Sequence, residues 1–254
     1  MNSPVDWLRD QLEGWEQSAL GIFRLRGSHE QWPVRAAGPE ELKQQLMQRG
    51  HLLPLPTEPA ALANLIEIEL REHLVTAAGL SSGVEIRLGT ERSYPDLELS
   101  GEAFGEDCYA ADIKCARRAK SGKSLQSRIA LYTGNTYFLW PQLNFSGILR
   151  PFDEYAAHLA VVVIYDFHKE RPERISNLQL MVHESWQIAS TKRASATREY
   201  IGSIQDIEKL QAGQGEFDSV EAFEAYWRAP ARSWKKSPEA EKLLRRVVEG
   251  RLQK

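Results

Sequence analysis

The sequence predicts an α/β fold of the α+β type, in which a mixed β-sheet core is flanked by helices. Two observations predict it. Apolar residues recur at helical spacing near both ends of the chain, whereas apolar and polar residues alternate with the period of strands in the middle. The chain has 254 residues, of which 42% are hydrophobic and 26% are charged. This length and composition suit a single globular domain over residues 1–254 with a sizeable core.

Capping residues and apolar spacing mark the helices of the N-terminal part. Ser3 and Pro4 predict the start of a first helix, and the segment 39–47 predicts a short second helix that Gly50 ends. A proline-rich turn before Pro59 opens a longer third helix. The predicted buried stripe of this helix consists of Leu62, Leu65, Ile66, Leu70 and Leu74.

The middle of the chain changes to the two-residue period that is typical of strands. The predicted strands are Val84–Leu88, Tyr94–Leu99, Cys108–Ala116, His158–Tyr165 and Asn177–Ala189. The fourth of them is rich in valine and continuously apolar, which predicts a strand in the interior of the sheet. Near the C-terminus, Ser219 is predicted to cap one helix, and Ser237 with Pro238 to open a last one.

Cysteine content and hydropathy indicate the cellular setting. Two cysteines, Cys108 and Cys115, cannot form a disulfide scaffold and fit a reduced compartment. The N-terminus has no basic start followed by an apolar stretch, and the longest apolar run, Leu159–Tyr165, is too short to cross a bilayer. We therefore expect a cytoplasmic protein that has no membrane partner.

Charge is distributed unevenly, although the formal net charge is only −3. Residues 1–110 contain 9 Lys and Arg against 18 Asp and Glu, whereas residues 111–254 contain 23 against 17. The surplus of positive charge in the second part indicates an anionic partner for one face of the molecule. Chance clustering of charge on a solvated surface is the alternative.

Several common catalytic motifs are absent from the sequence. Ser121–Ser124 resembles the end of a phosphate-binding loop, but Arg117 stands where that loop requires a glycine. The histidines and cysteines lack the spacing of a zinc site, and neither a nucleophile elbow nor a dinucleotide fingerprint occurs. Metabolic enzymes that depend on these motifs are therefore excluded.

Two aspartates and a lysine on predicted strands form the most informative pattern. Asp112 and Lys114 are two residues apart and therefore share one face of a strand. Asp96 precedes Leu97 and Leu99 on the strand before, so we expect it to face away from the apolar side. Pairing of the two strands would bring both carboxylates together at a solvent-exposed face.

Converging carboxylates are suited to Mg²⁺, which keeps several waters and binds phosphate oxygens. A neighbouring lysine can help to activate a water and can stabilise negative charge in the transition state. The pattern thus indicates metal-assisted phosphodiester hydrolysis; two solvated strand ends joined by an ordinary ion pair are the alternative. A basic segment that would meet a phosphate backbone follows directly. It consists of Arg117, Arg118, Lys120, Lys123 and Arg128.

Seven segments in the same order resemble the EcoRV-type restriction endonucleases of the PD-(D/E)xK nuclease superfamily. They are residues 53–67, 94–96, 112–114, 151–158, 186–189, 201–204 and 217–228. The resemblance implies a restriction-endonuclease-like fold with a small dimerisation lobe, built mainly from about residues 20–55 and part of 150–176. It also implies a homodimer that uses Mg²⁺, or Mn²⁺ in its place, to cut palindromic double-stranded DNA and leave blunt ends. A cognate DNA methyltransferase is expected in the host, though not as a stable subunit.

The resemblance also implies roles for individual residues. Asp96 and Asp112 would be metal ligands and Lys114 the catalytic lysine. Glu67 matches a helix glutamate that assists near the active site and can contact metal, although it also fits a solvated acid on the flank of the helix stripe. DNA-binding residues are implied in a minor-groove loop, in the basic segment and in a major-groove loop that reads bases. They are Glu91, Arg92, Ser93, Arg117, Arg118, Lys120, Lys192, Arg193, Ala194, Ser195, Ala196, Thr197 and Arg198.

The sequence departs from the family pattern where DNA bases are read. Residues 194–198 are Ala-Ser-Ala-Thr-Arg, whereas the family has Gly-Ser-Gly-Asn-Thr in this place. Glu91 and Arg92 replace an amide pair, and extra residues lie between Gly21 and Leu53. We therefore expect a recognition site different from that of the family's namesake and a modified dimer interface. A repair or recombination nuclease of the same superfamily and a non-catalytic DNA-binding protein are the alternative functions.

Overall fold

The computed structural model describes residues 3–22, 36–41, 44, 55–90, 93–132, 138–142, 144, 146–171, 174–196 and 200–229, with side chains of 17–22 excepted. The predicted last helix, which begins at Ser237, lies outside the described residues. Of the predicted second helix, residues 39–41 and 44 are described and are helical. The first part of the predicted dimerisation lobe, about residues 20–55, lies largely outside the described residues, and the lobe, which also includes part of 150–176, stays a prediction.

The main elements of the described residues are four helices and eight strands. The helices are α1 Pro4–Ile22, α2 Pro59–Leu80, α3 Ile207–Ala212 and α4 Val220–Arg228. The strands are β1 Glu85–Leu88, β2 Leu97–Ser100, β3 Tyr109–Arg117, β4 Ala130–Tyr132, β5 Ala157–Phe167, β6 Ile175–Glu184, β7 Ala189–Arg193 and β8 Ile201–Ser203. Short 3-10 turns occur at Glu102–Phe104, Phe152–Glu154 and Ser185–Ile188.

The strands form two sheets. The larger sheet has the order β1-β2-β3-β5-β6, in which β3 and β5 are parallel and the other neighbours are antiparallel. The smaller sheet has the order β4-β8-β7 and is antiparallel. The larger sheet is therefore mixed, as the sequence predicts, and the valine-rich segment forms the interior strand β5.

Two apolar clusters cover opposite faces of the larger sheet. Alternate residues of β3 divide between them: Ala111 and Ile113 pack with α1 and α2, whereas Ala110 and Ala116 pack with the smaller sheet, α3 and α4. The β5 strand contributes buried residues to both clusters, which explains its unbroken apolar sequence. The larger sheet is thus a central layer between two helices and a second, smaller sheet, and the predicted α+β class is confirmed.

The predicted stripe of the long helix is confirmed in α2. Leu62, Ile66, Leu70 and Leu74 are fully buried at intervals of four residues, and Leu65 packs against the same cluster while partly exposed. This stripe fixes the helix against the sheet and determines which way its flank residues face.

One predicted strand is shorter than expected. We predicted a strand over 177–189, but the strand β6 ends at Glu184 and a 3-10 turn follows. A reciprocal capping box causes this ending: the Glu184 side chain accepts from the backbone of Gln187, and the Gln187 side chain accepts from the backbone of Glu184.

The described helices include none that is long and apolar enough to cross a membrane.

Candidate active site

Asp96, Asp112 and Lys114 lie side by side on two antiparallel strands. The register of β2 and β3 pairs Leu97 with Ala111, so Asp96, one residue before Leu97, lies next to Asp112. Lys114 follows two residues later on β3 and shares a face with Asp112. The strand pairing proposed from the sequence is therefore the one that forms.

Hydrogen bonds hold the two carboxylates in place. The backbone amide of Asp96 donates to Asp112 Oδ1 at 3.1 Å, and the amide of Ile113 donates to Asp96 Oδ2 at 2.7 Å. The ammonium of Lys114 forms an ion pair with Asp112 Oδ2 at 2.6 Å. Each carboxylate is thus oriented by a main-chain donor, which fixes its position more firmly than a flexible side chain would.

The expectation that both carboxylates lie at the solvent face was wrong for Asp112, which is only 6% exposed. Its face of β3 also carries Ala110 and Ala116, and these pack against the smaller sheet rather than against water. Asp96 is less deeply buried. The site therefore lies in a sheltered position beside the smaller sheet, where charges interact more strongly than at an open surface.

Burial, followed by the crowding of negative charge, dominates the electrostatics of this site. Burial and the neighbouring Asp112 carboxylate raise the pKa of Asp96 to about 7, although Lys114 opposes this effect. Lys114 alone therefore does not offset the negative charge of the two carboxylates when both are ionised. A hard divalent cation fits this donor set, because two oxygen ligands of excess negative charge are already oriented. No group of three or more His, Cys, Asp or Glu among the described residues is arranged to hold a metal ion.

Glu67 lies on α2, near the pair. Burial raises the pKa of Glu67, while the charges of Lys114 and Arg71 lower it. Arg71 Nη1 lies 3.8 Å from Glu67 Oε1, and its Nη2 donates to the carbonyl of Gly89 at 2.6 Å. Glu67 is thus within electrostatic range of the site but not in a three-ligand cluster with the aspartates. Its role in catalysis and metal binding stays a prediction.

The residues of the basic segment have different surroundings. Arg118 is turned inward, where its guanidinium donates to Asp166 at 2.9 Å and to Gln179 at 3.0 Å. Arg117 lies over the ring of Phe167. Lys120 and Lys123 are exposed in the turn after β3. The exposed lysines are placed to meet an anionic partner, whereas Arg118 is bonded within the protein.

The two predicted DNA-reading loops are described in part. Glu91, Arg92, Thr197 and Arg198 lie outside the described residues. Ser93 makes a 2.5 Å hydroxyl–hydroxyl hydrogen bond with Thr90 and thereby closes the first loop. In the second loop, which connects β7 and β8, Lys192, Arg193 and Ala196 are exposed while Ala194 and Ser195 are partly buried. The described part of the second loop therefore presents two adjacent positively charged side chains, Lys192 and Arg193, to solvent.

An ion pair that was not predicted from the sequence lies beside the site. Glu98, on β2 two residues after Asp96, is 4% exposed and accepts two hydrogen bonds from Arg150 at 2.7 and 2.8 Å. The hydroxyl of Tyr155 donates a third at 3.0 Å. Burial raises the pKa of Glu98, but these donors outweigh it and hold the pKa below its ordinary value. No spacing in the sequence indicates partners that lie 52 residues apart.

Comparison with known proteins identifies the family of this chain. The sequence matches the family described as Restriction endonuclease EcoRV over residues 28–249. It is also similar to the type II restriction enzyme EcoRV of Escherichia coli, with 24% identity over 195 residues that cover 70% of this chain and 78% of that enzyme. The family match extends over well more than half of the sequence and confirms the resemblance seen in the seven segments. The chain therefore belongs to the family of the restriction endonuclease EcoRV.

Proposed function

We propose that this protein is a type II restriction endonuclease that hydrolyses phosphodiester bonds of double-stranded DNA with Mg²⁺. The observation that carries the proposal is the oriented, charge-crowded pair Asp96 and Asp112 with Lys114 in contact. Family membership supports DNA as the substrate. The sheltered position of the pair supports catalysis over a merely structural ion pair. Carboxylates that are crowded together and buried destabilise a fold, and groups of this kind cluster at functional sites.

Each residue has a role that its surroundings support. Asp96 and Asp112 would bind Mg²⁺, or Mn²⁺ in its place, through their carboxylate oxygens. Such an ion, when bound there, would supply a water of lowered pKa and positive charge for the phosphate. Lys114 holds its ammonium against Asp112, from where it can stabilise negative charge that develops on the phosphate oxygens. Glu67 contributes negative charge at the edge of the site and is the first candidate for a further ligand or a water-orienting group.

Specificity and assembly follow the family pattern in this proposal. A two-fold homodimer presents the same loops to both halves of a palindrome of about six base pairs. The loop after β7 would read bases in the major groove, and the loop around Ser93 would approach the minor groove. Exposed Lys120 and Lys123 would contact phosphates. We further propose blunt-ended products and a cognate methyltransferase in the host.

Digestion of mixed plasmids tests the proposal directly. Purified protein is incubated with supercoiled and linear plasmids of different sequence, with Mg²⁺ or with EDTA, and the ends of the products are sequenced. A restriction endonuclease yields the same palindrome at every cut and no products in EDTA. Cuts at branched or damaged positions without a common sequence would instead indicate a repair or recombination nuclease. Binding without cuts under all conditions would indicate a non-catalytic DNA-binding protein.

A further inference from the structure

The strand β7, which leads into the second loop, is paired on both edges. On one edge, the amide of Ala194 donates to the carbonyl of Tyr200, and the amide of Ile204 donates to that of Ile188, each at 2.9 Å. On the other edge, the turn before α4 donates through its own backbone. Gly215 donates to Gln187 at 2.6 Å and Glu216 to Ala189 at 2.9 Å. A Cβ on Gly215 would lie 2.7 Å from the Gln187 carbonyl, so this close approach requires a glycine.

The side chain of Glu216 continues this second edge by one more step. Its Oε2 accepts a hydrogen bond from the amide of Thr191 at 2.7 Å and from the hydroxyl of Thr191 at 2.6 Å. From α4, the hydroxyl of Tyr226 donates to the carbonyl of Thr191 at 3.1 Å. The carboxylate of Glu216 thus takes the place that a backbone carbonyl would have on this edge. The amide, the hydroxyl and the carbonyl of Thr191 are all hydrogen-bonded.

Among the described residues, Thr191 is the one that Glu216 bonds directly before the loop. Lys192 and Arg193 follow directly and are exposed. The stem is also paired with β8, where Gly202 approaches the Lys192 carbonyl so closely that a Cβ would lie 2.5 Å from it. Glu216 and β8 therefore hold the stem of the loop from opposite edges, and Glu216 does so at Thr191, directly before the exposed residues.

The surroundings of Glu216 favour its ionised form. Burial raises the pKa of Glu216, but the hydrogen bonds from Thr191 and the charge of Arg128 outweigh it and hold the pKa below its ordinary value. Arg128 is itself fixed, because its Nη1 donates to the Ser203 carbonyl at 2.8 Å. Glu216 is solvent-exposed, and an ionised acceptor makes shorter and stronger hydrogen bonds than a neutral one, so ionisation strengthens its contact with Thr191.

We infer that Glu216 is a positioning residue for sequence discrimination: it fixes Thr191 and thereby sets how residues 192–196, which follow it, meet the bases. This inference rests on the proposed function, in which that loop reads the DNA. Glu216 does not touch the Asp96–Asp112 pair in the described structure. Its loss therefore affects the choice of sequence more than the rate of the chemical step.

Four variants of the full-length protein test the inference. Glu216→Ala removes the acceptor, Glu216→Gln keeps one amide oxygen that can accept from Thr191, and Thr191→Val removes only the hydroxyl donor. Glu208→Ala, at an exposed acidic residue of α3, is the matched control. For each we measure kcat on saturating cognate DNA and the ratio of kcat/KM between the cognate site and sites with one altered base pair. Melting temperature and amide hydrogen exchange in residues 192–196 complete the set.

The expected result is a loss of discrimination with little loss of turnover. Glu216→Ala should lower the discrimination ratio by about tenfold or more, the scale of one base-pair preference. Its kcat should stay within about threefold of wild type. Amide exchange should accelerate in residues 192–196, Glu216→Gln should restore most of the ratio, and Thr191→Val should show a smaller loss.

Two results overturn the inference. One is a Glu216→Ala protein that discriminates as well as Glu208→Ala and has unchanged loop exchange. The other is a parallel loss of kcat, discrimination and melting temperature that Glu216→Gln does not rescue, since this marks a merely structural residue. A wild-type protein that cuts no sequence overturns the proposed function itself, which is a separate outcome.

Discussion

The backbone amide of Asp96 donates a hydrogen bond to Oδ1 of Asp112, 3.1 Å away across two antiparallel strands. This bond fixes the distance between two acidic residues that would repel each other when both are ionised. The fold therefore holds excess negative charge in a sheltered place, and the cost of doing so depends on pH and on cations. The stability of the fold should therefore change with pH and with divalent cations.

Without divalent cations, Asp96 should destabilise the fold as pH rises. Burial and Asp112 raise its pKa from 3.8 to about 7, so between these values the folded state binds a proton that the unfolded state has lost. The stabilisation is complete below about pH 4 and is lost as pH rises through about 7. His183 and His158, whose pKa values desolvation lowers, act in the opposite direction in part of this range, so a difference between variants is needed.

The measurement is thermal unfolding of wild type and Asp96→Asn in EDTA from pH 4 to pH 8. The melting temperature of Asp96→Asn should rise relative to wild type as pH increases. Addition of Mg²⁺ or Mn²⁺ should raise the melting temperature of wild type at pH 8 more than that of the variant. A constant difference across the pH range would contradict the raised pKa of Asp96.

Asp112→Asn should cost at least about a hundredfold in the rate of DNA cleavage, because it removes one negative ligand from the pair. Asparagine is preferred to alanine because Asp112 is buried, and the amide oxygen can still accept from Asp96. Cleavage is measured under single-turnover conditions with Mg²⁺, and circular dichroism confirms folding. Wild-type cleavage by this variant would refute the assigned site.

Lys114→Met should lose cleavage while keeping specific DNA binding. The substitution retains most of the apolar stem but removes the charge that lies 2.6 Å from Asp112 Oδ2, so the barrier to hydrolysis should rise by several kcal/mol, about the loss from one oxyanion donor or more. Lys209→Met, at an exposed lysine of α3, is the control. If instead binding is lost and the cleavage rate on saturated DNA is normal, Lys114 is only a phosphate contact.

Local patterns predicted the arrangement of the aspartates and the lysine. Strand alternation places Asp112 and Lys114 on one face, and adjacent strands in sequence commonly pair, which brings in Asp96. The same reasoning placed Asp112 at the solvent, because nothing in the sequence near it indicates that the smaller sheet covers this face. Which layer packs on which face depends on contacts between distant segments.

Partners that lie far apart in the sequence explain the other differences. Glu98 is bonded to Arg150, and Glu216 is bonded to Thr191, at separations of 52 and 25 residues. A periodic pattern shows that an acidic residue lies on a strand or in a turn, but not which donor meets it. Arg118 is a similar case: its position in a basic segment indicated DNA, whereas its contacts with Asp166 and Gln179 became visible only in the fold.

The protein should be a two-fold dimer when it acts on its site. A closed isologous dimer matches a palindrome because both halves present identical loops. Sedimentation velocity at micromolar concentration, with and without a cognate duplex, measures the assembly state. A monomer that binds the complete cognate site specifically would contradict the prediction, and the extra residues between Gly21 and Leu53 would then serve another purpose.

Arg198 should read a guanine in each half-site. It lies outside the described residues, so the argument rests on the sequence: small residues at 194–196 let the backbone approach base edges, and the arginine fork matches guanine O6 and N7. The alternative is that Arg198 only neutralises a phosphate, since most protein–DNA hydrogen bonds go to the backbone. The two readings differ in how the loss is distributed over DNA sequences and in its dependence on salt.

Binding of the Arg198→Ala protein to cognate, singly substituted and unrelated duplexes distinguishes a base contact from a phosphate contact. The matched control is Arg193→Ala, at an exposed arginine of the same loop. A base-reading arginine should cost about 1–3 kcal/mol on the cognate site and relax discrimination at one position, while affinity for unrelated DNA falls much less. A phosphate contact should weaken binding to all sequences about equally and lower the salt slope by roughly one. A uniform loss with unchanged site preference would therefore remove the base-reading role of Arg198 and leave the nuclease proposal intact, because the Asp96–Asp112 pair does not depend on it.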